Sequence, residues 1–168
     1  SSPVDIVGFS RGAVLSMAFS NFIDDHTKNG YFNYSQEEID IFGNPITRDY
    51  TACIDLRFIG LFDAVSQKGL LGFYNKELDY SASESWSLIT HAVALNEHRK
   101  LFPLTTYQKN DFVVEQAFMG NHTDLGGVHL EKDRTDEDNP HPDKLYGDLG
   151  NVPLAWVYSQ AQTLGIPL

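Results

Sequence analysis

Gly8-Phe9-Ser10-Arg11-Gly12 has the form G-x-S-x-G, the pattern of a serine set in a tight turn between a strand and a helix. A serine hydroxyl is a weak nucleophile. It attacks an acyl carbonyl only when a base takes its proton, and the base needs a third group to fix its tautomer. Two residues further along have the right types. Asp63 ends the apolar run that begins at Ile54, and His122 follows the run 112–119 inside a glycine-bounded loop. The chain order Ser, Asp, His is the one α/β-hydrolases use. Arg11, the residue after the serine, is the expected source of a backbone N–H for an oxyanion. Gly8 and Gly12 are expected to let neighbouring backbone pass without a Cβ. Each residue also has a plainer reading: Ser10 as a helix cap, Asp63 as a turn cap, His122 as a solvated loop histidine. The order of the three, each at a strand end, favours the catalytic reading.

Other titratable residues compete less well. Asp124 is expected to shape the histidine loop rather than pair with the ring, and Asp111 lies at the wrong end of its strand. His91 and His98 fall on a predicted helix, with packing or surface roles. His129 and His141 lie in a polar stretch. A metal reading would use His122, Asp124 and His129, but no compact ligand motif such as H-E-x-x-H is present. No metal and no cofactor is expected.

These residues need elements to hold them. Residues 4–9 read as a buried strand and 11–24 as a helix with an apolar stripe of Val14, Leu15, Ala18, Phe19 and Phe22. Residues 29–51 have weak periodicity and predict an excursion with a short helix near Glu37. Ile54 to Val65 reads as an interior strand. Ser81 to Glu84 has capping-box spacing, which predicts a helix running to about Arg99. Residues 112–119 read as a strand, 131–148 as a solvated loop, and a last helix is expected near Asn151 with Pro153 in its first turn. Gly165 is its expected C′ residue. Alternating strands and helices predict a single α/β domain over residues 1–168 with a mainly parallel sheet, the reactive groups gathering beyond the strands' carboxyl ends.

The segments GFSRGA, FIGLFDAV, HAVALNEHRKLFP, FMGNHTDLGG and LGNVPLAWVYSQAQTLGIPL occur here in an order that resembles one family. It is the α/β-hydrolase family of type VI secretion phospholipase effectors and their bacterial and fungal relatives. The resemblance implies Ser10 as nucleophile, Asp63 as acid and His122 as base, with Asp124, Gly126 and Gly127 shaping the histidine loop. It implies hydrolysis of phospholipid esters, a secretion-machine component or an immunity protein as partner, and delivery from the cytoplasm into a target cell. Phe62 stands where that family often has Trp, and Asn121 where an apolar residue is common. The family's earlier βα units, which would supply a second oxyanion donor, are not in these residues, so they are expected to be only the C-terminal part of the hydrolase fold.

Composition narrows the rivals. A net charge of -11 argues against nucleic acid, which needs clustered Lys and Arg. It also argues against simple attraction to anionic lipid, so a lipid substrate must be held by apolar contacts. The single Cys53 excludes an internal disulfide and is expected to be a small buried hydrophobe. No signal-peptide pattern and no membrane-length apolar run is visible. Segments 25–52 and 66–82 are expected lids, with Tyr31, Phe32, Tyr34 and Phe42 in the first and Leu70, Leu71, Phe73 and Tyr74 in the second. Two alternatives stay open: a catalytically incomplete module that acts in binding, and a soluble carboxylesterase.

Overall fold

Strand β3 (Pro45–Phe62) is the spine of the molecule. The computed structural model describes residues 1–27, 30–66, 79–98, 104–107, 110–127 and 148–167. Over its second half β3 lies parallel between β1 (Ser2–Phe9) and β4 (Leu88–Ala94), and β5 (Val113–Phe118) lies parallel to β4, giving the order β1-β3-β4-β5. Over its first half β3 pairs antiparallel with β2 (Tyr31–Ile39).

The continuous apolar run from Phe58 follows from burial on both faces. Ile59 and Leu61 join Ala13, Val14 and Met17 of helix α1 (Arg11–His26) on one side. Phe58 and Phe62 join Val157 and Ala161 of helix α3 (Asp148–Thr163) on the other. Gly60 is required between them, because a Cβ there would lie 2.9 Å from Val157 Cγ1. The result is a layered α/β fold in which Ser10, Asp63 and the loop before His122 all follow carboxyl ends of parallel strands.

Several expectations are corrected. Residues 88–94 form a strand, not part of a helix. A short run buried on both faces has no helix or strand period of its own, and the β-branched Ile89, Thr90 and Val93 suit the pleat. The Ser81–Glu84 signal is a loop instead: Asp79 accepts from the Ser81 N–H and hydroxyl, and Ser83 Oγ accepts from the Ser85 N–H. The helix expected near Glu37 is β2. Its pattern is obscured because both faces of the β2–β3 hairpin meet solvent, although Tyr34 stacks on Phe32 and Tyr50 along one of them. The hairpin tip, fixed by Asp40 accepting from the Phe42 and Asn44 N–H groups, lies at the opposite end of β3 from Asp63. Of the α1 stripe only Val14 is fully buried, with Ala13, Met17 and Ser20. Leu15, Phe19 and Phe22 are about half exposed. Cys53 is exposed, at the base of the hairpin. Helix α3 begins at Asp148, so the buried Pro153 lies beyond its first turn. The expected lid residues of 67–78, the loop residues 131–147 and His129 and His141 lie outside the described residues.

Candidate active site

Ser10 sits between β1 and α1 with φ 60 and ψ -129, a left-handed backbone that a residue with a Cβ adopts only under constraint. Such strain costs of order 1–3 kcal/mol and persists where neighbours fix it. Here the Ser10 N–H donates to Phe62 O at 2.9 Å, and Ser10 O accepts from the Ala13 and Val65 N–H groups at 3.1 and 3.2 Å. Gly8 lets α1 close on β1, since a Cβ there would lie 2.8 Å from Ala13 Cα. Gly12 has no such role: a Cβ there would meet nothing within 4 Å.

Asp63 also has a positive φ, 42°. Its carboxylate, 3% exposed, accepts from the Ala94 N–H through Oδ1 at 2.8 Å and from His122 Nδ1 through Oδ2 at 2.7 Å. His122 opens the short helix α2 (His122–Leu125), and its Nε2 lies 2.7 Å from Ser10 Oγ. The partners assign the tautomer. An ionised carboxylate only accepts, so Nδ1 carries the proton and the Nε2 lone pair faces the serine hydroxyl.

The histidine is held from several sides. Its ring stacks on Phe9 with centroids 4.7 Å apart. Its backbone N–H donates to Glu97 Oε2 at 3.2 Å. Asn121 caps α2 by accepting from the Thr123 and Asp124 N–H groups, while Asp124 Oδ2 accepts the Asn121 N–H at 2.8 Å. Gly127 takes φ 66, and Gly126 makes room for Phe9. Sequence reasoning missed Phe9, Glu97 and Asn121. The Asn121 and Asp124 spacing was a legible capping box, whereas the Phe9 and Glu97 contacts cross between elements and leave no local signal.

A Cβ at residue 126 would fall 2.4 Å from the Phe9 ring. Gly126→Ala is therefore expected to tilt Phe9 and the imidazole stacked on it. Turnover should fall by roughly 10²-fold, the scale of a misplacement of about 1 Å. Steady-state kinetics beside a thermal melt check this, and turnover at the parent rate would show that the ring contact does not set the geometry.

The arrangement can move a proton from Ser10 to His122 and place the resulting imidazolium against a buried carboxylate. Beside it, a cavity of about 350 Å³ is lined by Phe9, Phe62, Leu125, Gly126 and Leu154 among others. An open apolar groove of about 560 Å³ continues from Phe62 and Leu154 to Val7, Phe58 and Tyr158. Among the described residues no three His, Cys, Asp or Glu side chains are grouped to hold a metal, and no helix is long and apolar enough to cross a membrane.

An uncharacterized protein from Pseudomonas aeruginosa aligns with 99% of the chain at a TM-score of 0.61 and 24% identity, which shows a shared fold. The structure of the Tle1 effector bound to the VgrG spike of the type 6 secretion system aligns with 73% of the chain at a TM-score of 0.46 and 20% identity. The chain spans 24% of the length of each of these solved chains. No curated protein matches it. One family model matches residues 25–160, a span that contains Asp63 and His122 and begins after Ser10. Its description is the type VI secretion system phospholipase effector Tle1-like catalytic domain, and with most of the chain inside the match, the protein belongs to that family.

Proposed function

We propose that the protein is a serine esterase that cleaves acyl esters of phospholipids. The observation that carries this reading is the unbroken hydrogen-bond chain from Ser10 Oγ through His122 to Asp63. As His122 Nε2 takes the hydroxyl proton, Ser10 Oγ bonds to the acyl carbon. The tetrahedral oxyanion is met by the N–H of Arg11. The ester C–O bond then breaks, and His122 returns the proton to the leaving alcohol. Water, deprotonated by the same imidazole, releases the fatty acid from the acyl-enzyme and restores Ser10.

The lipid class rests on family membership and on the apolar groove that continues from the cavity beside Phe9, which suits an acyl chain. Apolar contact has to hold such a substrate, since a net charge of -11 repels anionic head groups. Export by a type VI machine, with a spike component or an immunity protein as partner, is the corresponding proposal for its biology.

Labelling with a fluorophosphonate probe tests the mechanism. Modification is expected at Ser10, located by peptide mass mapping, and is expected to vanish in Ser10→Ala. An unlabelled parent protein would overturn it. Equal turnover of short soluble esters and of phospholipid dispersions would instead mark a soluble carboxylesterase.

A further inference from the structure

The turn that carries Asp63 presents three successive backbone N–H groups, and each goes to a different acceptor. The Asp63 N–H donates to Ala92 O at 2.7 Å and the Val65 N–H to Ser10 O at 3.2 Å. The one between them, from Ala64, donates to a side chain: His91 Nε2, at 2.9 Å. Both His91 and Ala64 are fully buried. His91 lies in β4 opposite Leu61, one pair before the last of the β3–β4 ladder, and its ring accepts an N–H from the turn that follows β3.

The tautomer of His91 follows from its neighbours. A backbone N–H can only donate, so Nε2 holds a lone pair and Nδ1 carries the proton. Nδ1 donates to Glu115 Oε1 on β5 at 2.7 Å, and the same oxygen accepts the Tyr107 N–H at 2.9 Å. The Tyr107 ring packs edge-on against the imidazole with centroids 5.5 Å apart. Without Glu115 the ring is free to carry its proton on Nε2, which would set two donors against each other at Ala64.

We propose that His91, with its tautomer fixed by Glu115, is a positioning residue that holds the Asp63 turn in register with His122. The proposal deepens the reading of Ser10, His122 and Asp63 as one catalytic unit and rests on it. Asp63 keeps its left-handed backbone only while its neighbours hold it, and His91 supplies the one hydrogen bond of these three N–H groups that depends on a side chain. A buried imidazole used in this way is structural chemistry, distinct from the proton transfer at His122.

Two amide substitutions separate the ring's two nitrogens. Gln in His91→Gln can set its oxygen where Nε2 was and keep the Ala64 N–H accepted. Asn in His91→Asn reaches only as far as Nδ1, so it can still donate to Glu115 but leaves Ala64 without an acceptor. Fluorophosphonate labelling of Ser10, and kcat, should stay near the parent value in His91→Gln. Both should fall about 10²-fold in His91→Asn with KM unchanged, as for a small displacement of a catalytic group. Glu115→Gln, which keeps an oxygen acceptor, should resemble the parent, and Glu115→Leu should resemble His91→Asn.

Proton NMR gives a readout that needs no turnover. The downfield resonance of the His122 Nδ1–H bonded to Asp63 should persist in the parent and in His91→Gln and be lost in His91→Asn. The Glu115 pair decides the matter if His91→Asn does not fold. Equal behaviour of the Asn and Gln variants in both readouts, or a His91 ring protonated on Nε2, would overturn the proposal. A parent protein that resists labelling yet shows the expected resonances would instead sink the esterase reading and leave the positioning role standing.

Discussion

Asp63→Asn is expected to lower turnover about 10⁴-fold while the protein stays folded. The direction follows from the second hydrogen bond of Asp63. Its Oδ1 accepts the Ala94 N–H, which has no other role in this geometry than to donate. An asparagine at this position keeps that bond only by turning its amide oxygen toward Ala94. Its NH₂ group then faces His122 Nδ1, where Asp63 Oδ2 stood. Two donors cannot share that contact, so the imidazole moves its proton to Nε2 and points a hydrogen at Ser10 Oγ. The base has lost the lone pair it needs. Side-chain volume hardly changes, so the thermal midpoint should move little. The checks are kcat on phospholipid dispersions, the melting temperature, and the rate of fluorophosphonate labelling. Turnover near the parent value would mean that Asp63 does not orient His122.

The groups that meet at the end of β3 set this outcome, and only part of that meeting was legible in the sequence. The G-x-S-x-G turn, the apolar run that ends at Asp63 and the loop around His122 each announce themselves locally, because each is a strand end followed by a residue of telling type. The parallel layering was legible for the same reason: Phe58 to Phe62 is apolar throughout only if both faces are covered. What was hidden is long-range. Residues 88–94 are apolar with no clear period, and an adjacent capping-box sequence favoured a helix. The sheet position between β3 and β5 decides for a strand. As part of that strand, His91 lies behind the Asp63 turn and not on a helix face, a placement no local pattern reveals. The β2–β3 hairpin was hidden in the opposite way, with both faces in solvent and hence no alternation to read. The strain at Ser10 was implied by its motif, whereas the positive φ at Asp63 had no local signature at all.

Ser10→Ala and His122→Ala should each lower turnover by about 10⁶-fold, and the double substitution should lower it no further. Independent contributions would multiply. They do not multiply when two groups perform one act. With Ser10 gone, Nε2 has no hydroxyl proton to accept, and with His122 gone, the hydroxyl has no base within reach at 2.7 Å. The second loss therefore removes something already idle. What remains is the contribution of groups untouched by either change, the helix-end N–H of Arg11 and the apolar wall around Phe9 and Leu154. The geometry makes this a sharp test, because the His122 ring has a second task. It stacks on Phe9, next to the Ser10 turn. If His122 acted mainly by packing, its removal would disturb the turn and the two losses would combine instead of saturating. A double-mutant cycle on one phospholipid substrate, with the melting temperature of each protein measured alongside, separates these outcomes. Saturation marks a nucleophile and its base, and multiplication assigns His122 to the scaffold.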